Sequence, residues 1–97
     1  MKTLILSDES ILDIDDIIEW YSKFNIEIVD NFKEKLFLGL KTIENNPTIF
    51  QDKYCNVKIH FIEKFPYGIH YIIEEEFIKI IGIFHTSRNP INWFDRI

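Results

Sequence analysis

The chain has no alanine, only three glycines and three prolines, and a single methionine and a single cysteine in 97 residues. Lone Cys55 cannot close an internal disulfide, so nothing marks an oxidising compartment. No apolar run is long enough to cross a bilayer, and the N-terminal "MKTLILS" passes straight into "DES" without a small-residue cleavage site. These features lead us to expect a cytoplasmic chain with no membrane contact. Basic residues are also scarce, with 11 Lys and Arg against 16 Asp and Glu and a net charge of −5. That balance counts against broad nucleic-acid binding, which needs a cationic footprint, but leaves room for one local basic patch.

What is present is bulky. The chain is 46% hydrophobic and 15% aromatic, mostly isoleucine and phenylalanine, which is ample for a packed interior and argues against disorder. Its length fits one domain, residues 1–97, with no room for a second core. No repeat, linker or low-complexity segment interrupts it.

"KTLILS" reads as a first strand. Ser7 is placed to cap a helix whose first turn holds Asp8 and Glu9, and Ile11, Ile14, Ile17, Ile18 and Tyr21 recur at helical spacing. Asn25 is a break. A second helix follows through Phe32, Leu36, Leu40 and Ile43 and stops at "ENNP", because Pro47 disfavours helix at Asn46. "TIFQDKYCN" reads as a loop. The period then falls to two in three strands, "VKIHFI", "GIHYII" and "FIKIIGIFH", separated by "EKFPYG" and "EEE". The expected fold is α+β: a small two-layer sandwich in the order β-α-α-β-β-β, a helical hairpin on one face of a mostly antiparallel sheet.

A turn centred near Phe65 would place Val57, Ile59 and Phe61 with Ile69, Tyr71 and Ile73 on the helix-covered face, and a tight turn at Glu75 and Glu76 would extend that face to Gly82 and Phe84. Lys58, His60, His70, Lys79 and His85 would then share the helix-free face, subject to inversion by a one-residue slip.

His85 and Arg88, at the end of the most apolar strand, suit acid–base work and anion binding. The competing reading has His85 ending the strand on a backbone group and Arg88 paired with a carboxylate such as Asp95. In the register above His60 and His70 are cross-strand neighbours, but two His without a close third ligand make a poor zinc site, and no metal or other cofactor is expected. Tyr67 of "FPYG" offers a stacking ring, although turn-flanking aromatics more often pack. Asp13, Asp15, Asp16 and Glu19 read as a solvated helix face, Glu74, Glu75 and Glu76 as a charged hairpin tip, and Trp20 and Tyr21 as core.

Together "ILDIDDIIEWY", "NNPTIF", "VKIHFIEKFPYGIHYII" and "IIGIFHTSRNPINWFDR" resemble the RelE/ParE superfamily, the toxins of type II toxin–antitoxin systems that include plasmid stabilisation proteins. The resemblance spans nearly the whole chain and implies the same β-α-α-β-β-β sandwich. It also implies growth inhibition and a cognate antitoxin whose C-terminal segment wraps the toxin, in a hetero-oligomer or beside a homodimer. RelE-like members are mRNA interferases, cleaving messenger RNA on the ribosome without metal, whereas ParE-like members poison DNA gyrase and are not nucleases. On the first branch the resemblance makes Lys58, His85 and Arg88 the catalytic residues, with Lys58 and Arg88 holding the phosphate. Lys58 stands where the family usually has Arg; His85, Arg88, Trp93 and Arg96 match as they are. Trp93 and Phe94 replace the terminal phenol of the RNA-cleaving branch. The alternative is a non-catalytic, degenerate member that survives as a protein-binding module.

Overall fold

The computed structural model describes residues 2–87 and Arg96. Two helices pack on a five-stranded, mostly antiparallel sheet. In chain order the elements are β1 (Thr3–Leu6), α1 (Asp8–Ser22), α2 (Ile26–Asn45), β2 (Asp52–Tyr54), β3 (Val57–Phe61), β4 (Tyr67–Ile73) and β5 (Phe77–His85). Across the sheet the order is β1-β5-β4-β3-β2, with β1 parallel to β5 and the other pairs antiparallel. The helical hairpin supplies the crossover that a parallel pair requires.

The helix boundaries follow local chemistry. Ser7 stays extended and accepts the Ser10 N–H at 3.1 Å, while Ser10 Oγ returns a bond to the Ser7 carbonyl at 2.7 Å. Asn25 caps α2 by accepting the Glu27 N–H at 2.8 Å, and Asn46 closes it before Pro47. The core between helices and sheet is built on Ile17, Phe32, Leu36 and Ile43 against Ile62, Ile69, Tyr71, Ile78, Ile80 and Ile83. Gly39 lets α2 approach closely, since a Cβ there would lie 2.9 Å from Ile69 Cδ1 and 3.2 Å from the His60 ring. Tyr71, fully buried, donates its hydroxyl to the Pro47 carbonyl at 2.9 Å and ties the segment after α2 to the sheet.

Four expectations need correction. "TIFQDKYCN" contains the short strand β2, joined to β3 by a two-residue turn in which Cys55 and Asn56 both have positive φ. The β3–β4 register pairs Lys58 with Tyr71, His60 with Ile69 and Phe61 with Gly68. Lys64 takes a left-handed conformation (φ 69) within an even-numbered loop, and this inverts the whole of β3 relative to a turn centred on Phe65. Lys58, His60 and Ile62 therefore lie on the helix side, and Ile59 and Phe61 on the open face.

On β5 the expected pairs Ile73–Ile78 and Tyr71–Ile80 hold, but the register then shifts, so that His70 faces Gly82 and Ile69 faces Ile83. Ile81 is the extra residue of this bulge. Beyond it Ile83 and His85 point toward the helices, whereas Phe84 packs on the open face with Ile59 and Tyr54. Trp20 is not core either. It is 55% exposed, and Tyr21 alone of that pair packs inward.

Candidate functional site

Lys58 and His85 do not meet. Lys58 sits opposite Tyr71 and His85 opposite Tyr67, on the two strands flanking β4. At about 3.3 Å per residue and about 4.8 Å between strands, their Cα atoms are roughly 16 Å apart. Lys58 turns its ammonium to the Phe50 carbonyl at 2.7 Å and to Asp52 Oδ1 at 2.8 Å, pinning the chain that leads into β2. Lys58→Met should accordingly cost about 1–2 kcal/mol in urea unfolding, the amount expected for a half-buried charge-assisted bond to a carbonyl. Unchanged stability would show the ammonium to be free for another role. Arg88 lies outside the described residues, as do Trp93, Phe94 and Asp95.

His85 accepts the Ser87 N–H on Nδ1 at 3.1 Å, with Ser87 Oγ at 2.7 Å from the same atom. That bond places the proton of the neutral ring on Nε2. The ring packs edge-on against Tyr67 at 5.3 Å.

The polar centre that the structure does assemble is one that the run of carboxylates on α1 hides. β1 ends at Leu6 opposite Ile80, so the next stretch of β5 lies beyond its reach. Helix α1 takes over there: Asp13 Oδ2 accepts the Ile83 N–H at 3.0 Å. Arg96 then returns from the C-terminus and grips Asp13 with both arms, at 2.8 and 3.1 Å. Its Nη1 also donates to the Ile81 carbonyl at 3.1 Å, and the guanidinium lies 4.8 Å from the Phe84 ring centre. The Arg96 pKa is raised, chiefly by the hydrogen bond it donates to Asp13, with burial opposing. Asp13 is thus no part of a solvated face. Its spacing with Ile17 and Trp20, all on one helix stripe, was the available signal.

Asp13, Asp16, Ile17 and Trp20 form one wall of a cleft of about 540 Å³, and Tyr67, Ile83 and His85 form the other, with Arg96 completing the lining. On the open face His70 is buried and joined to Tyr54 by a 2.9 Å bond between Nδ1 and Oη, with the Phe84 ring edge-on at 4.7 Å. Burial pushes the His70 pKa down to about 4, helped by the Arg96 charge, and pushes Tyr54 up to about 12. His60, on the opposite face, stacks on Phe50 at 4.9 Å, and burial lowers its pKa. His60 and His70 therefore do not form a cross-strand pair, and no group of three potential metal ligands occurs among the described residues. Among those residues no helix is long and apolar enough to cross a membrane.

The fold, two helices on a five-stranded sheet, is shared with a solved structure. The structure titled "Chromosomal ParDE TA system from P. aeruginosa" superposes with a TM-score of 0.79 at 16% identity, covering 90% of this chain and 98% of that one. No curated protein matches the sequence. The family model described as the ParE toxin of the type II toxin–antitoxin system parDE matches residues 4–90. The chain belongs to this ParE toxin family.

Proposed function

We propose that this protein is the toxin of a type II toxin–antitoxin module, neutralised by an antitoxin encoded beside it, and that it inhibits growth by binding and poisoning DNA gyrase rather than by cutting RNA. The separation of Lys58 from His85 carries this reading. Metal-free cleavage needs acid, base and phosphate-binding cation within hydrogen-bond reach of one nucleotide. Residues whose Cα atoms lie roughly 16 Å apart, with the Lys58 ammonium committed to Asp52 and a carbonyl, do not supply that. The ParE family match, the net charge of −5 and the absence of a phenol at positions 93 and 94 point the same way.

Induction of the chain alone in a bacterium should arrest growth, and co-induction of the adjacent reading frame should relieve the arrest. Arrested cells should accumulate gyrase–DNA cleavage complexes while their messenger RNA stays intact on ribosomes. Ribosome-dependent cleavage in a purified translation system would overturn the gyrase assignment. Failure to arrest growth, with the neighbouring protein still bound, would leave a binding module only.

A further inference from the structure

The two edges of the sheet are finished differently. At the far edge β2 is three residues long, carries Asp52 and Lys53, and shifts register against β3, devices that discourage strand addition. At the near edge β1 reads Thr-Leu-Ile-Leu, without charge or proline and in regular register with β5. The Thr3 N–H bonds the Glu76 carbonyl at 3.1 Å and the Ser7 N–H bonds the Ile80 carbonyl at 3.0 Å, so the odd-numbered residues face β5. Strand alternation then turns the N–H and C=O groups of Leu4 and Leu6 outward, where no described strand lies. Apolar side chains flank this row on both faces. Ile5 and Phe77, on the open face, are 38% and 40% exposed. On the helix side Leu4 lines a groove of about 200 Å³ with Phe37, Leu40, Lys41 and Glu44, and Phe37 is 59% exposed.

We propose that the occupant of this edge is a second copy of the chain, paired β1 to β1 about a two-fold axis through Ile5. An antiparallel pair bonds only through outward-facing residues. Centred on Ile5, the pairing sets Leu4 opposite Leu6 of the second copy, and each such pair exchanges two N–H···O bonds. Ile5 meets Ile5 on the axis, Thr3 meets Ser7, and Lys2 meets Asp8, its opposite in charge. The Lys2 ammonium has three donors and uses two on the Glu74 and Glu75 carbonyls, leaving one for that carboxylate. Moving the axis to Leu4 would set Lys2 against Leu6, and moving it to Leu6 would set Leu4 against Asp8. The register through Ile5 is therefore the self-complementary one. On the helix side it brings Leu6 of the second copy against Leu4, at the groove beside Phe37. The pairing uses up both β1 edges and leaves the charged, shifted β2 edges outside, so it closes at two. A net charge of −5 on each copy opposes association and keeps it weak, on the order of 10 µM. The inference does not depend on how the chain arrests growth.

Sedimentation equilibrium of the full chain should show the mass rising from monomer to dimer between about 1 and about 200 µM, and no further. Ile5→Lys puts two ammonium groups together on the axis and should hold the chain at the monomer mass over that range, with circular dichroism checking that it folds. Cysteine cross-linking in a Cys55→Ser background tests the register with milder changes. Ile5→Cys sets two thiols on the axis with Cα atoms about 4.5 Å apart, within disulfide reach, and should give a covalent dimer under mild oxidation. Thr3→Cys leaves its Cα atoms about 14 Å apart, four residues out of step, and should not cross-link. A single species of monomer mass at about 200 µM would overturn the proposal. So would a dimer as tight with Ile5→Lys as without it, or Thr3→Cys cross-linking as fast as Ile5→Cys.

Discussion

Arg96→Met should lower the stability of the protein by about 2–3 kcal/mol, a drop in melting temperature of roughly 10–20 °C for a domain of this size. The Arg96 and Asp13 side chains are only 20% and 15% exposed, so this is not a solvent-screened surface pair. The substitution keeps the bulk of the side chain and much of its contact with Phe84, but removes three hydrogen bonds together. It leaves the Asp13 carboxylate with only the Ile83 N–H among the described residues and takes this donor from the Ile81 carbonyl. A half-satisfied buried group is the costly outcome. Asp13→Asn should cost less, about 1–2 kcal/mol, because its side-chain oxygen still accepts from Ile83. The double variant should lose clearly less than the two singles combined, since both report on one network. Additive losses in urea melts would show that the residues act independently.

Acid should weaken the fold over a defined window. His70 has an ordinary value of 6.5 and is held near 4 in the folded protein, mainly by burial. Between those values the unfolded chain binds more protons, so stability rises with pH there. It is complete above about pH 6.5, falls as the pH drops, and is lower by about 3 kcal/mol once the pH passes below the folded value. His70→Asn keeps an oxygen able to meet the Tyr54 hydroxyl but cannot titrate, and should flatten unfolding free energy against pH between 6.5 and 4. An unchanged slope in that variant would assign the acid sensitivity to other groups. The alkaline side mirrors it. Burial pushes Tyr54 and Tyr71 from 10.0 to about 12, so their contribution is complete below pH 10 and is lost as the pH rises through 12.

His70, Tyr54 and the Arg96 clamp belong to one arrangement, joined through the Phe84 ring, which explains why so little of the site follows from patterns. Asp13 falls in a run of carboxylates that reads as solvated, and only the early end of β1 lets it reach a β5 amide. His70 alternates with apolar neighbours as a surface residue would. It is buried because the open face carries its own small cluster of Ile59, Phe84 and Tyr54. Lys58 and His85 could be picked out as polar residues on apolar strands, but the distance between them could not. Arg88, the third of that set, lies outside the described residues.

By itself the sequence determined the helices, the caps at Ser7 and Asn46 and the break at Asn25, the tight turn pairing Ile73 with Ile78, the α+β class and the RelE/ParE superfamily. Those features depend on residues close in the chain, or on motifs whose order survives divergence. Tertiary structure alone decided which face each strand residue occupies. A strand repeats every two residues, so one left-handed Lys64 and one bulge at Ile81 reverse the assignment without altering composition or period. Those two irregularities place Lys58 and His85 on the helix side of the sheet, and between them they decide what the last strand presents to a partner.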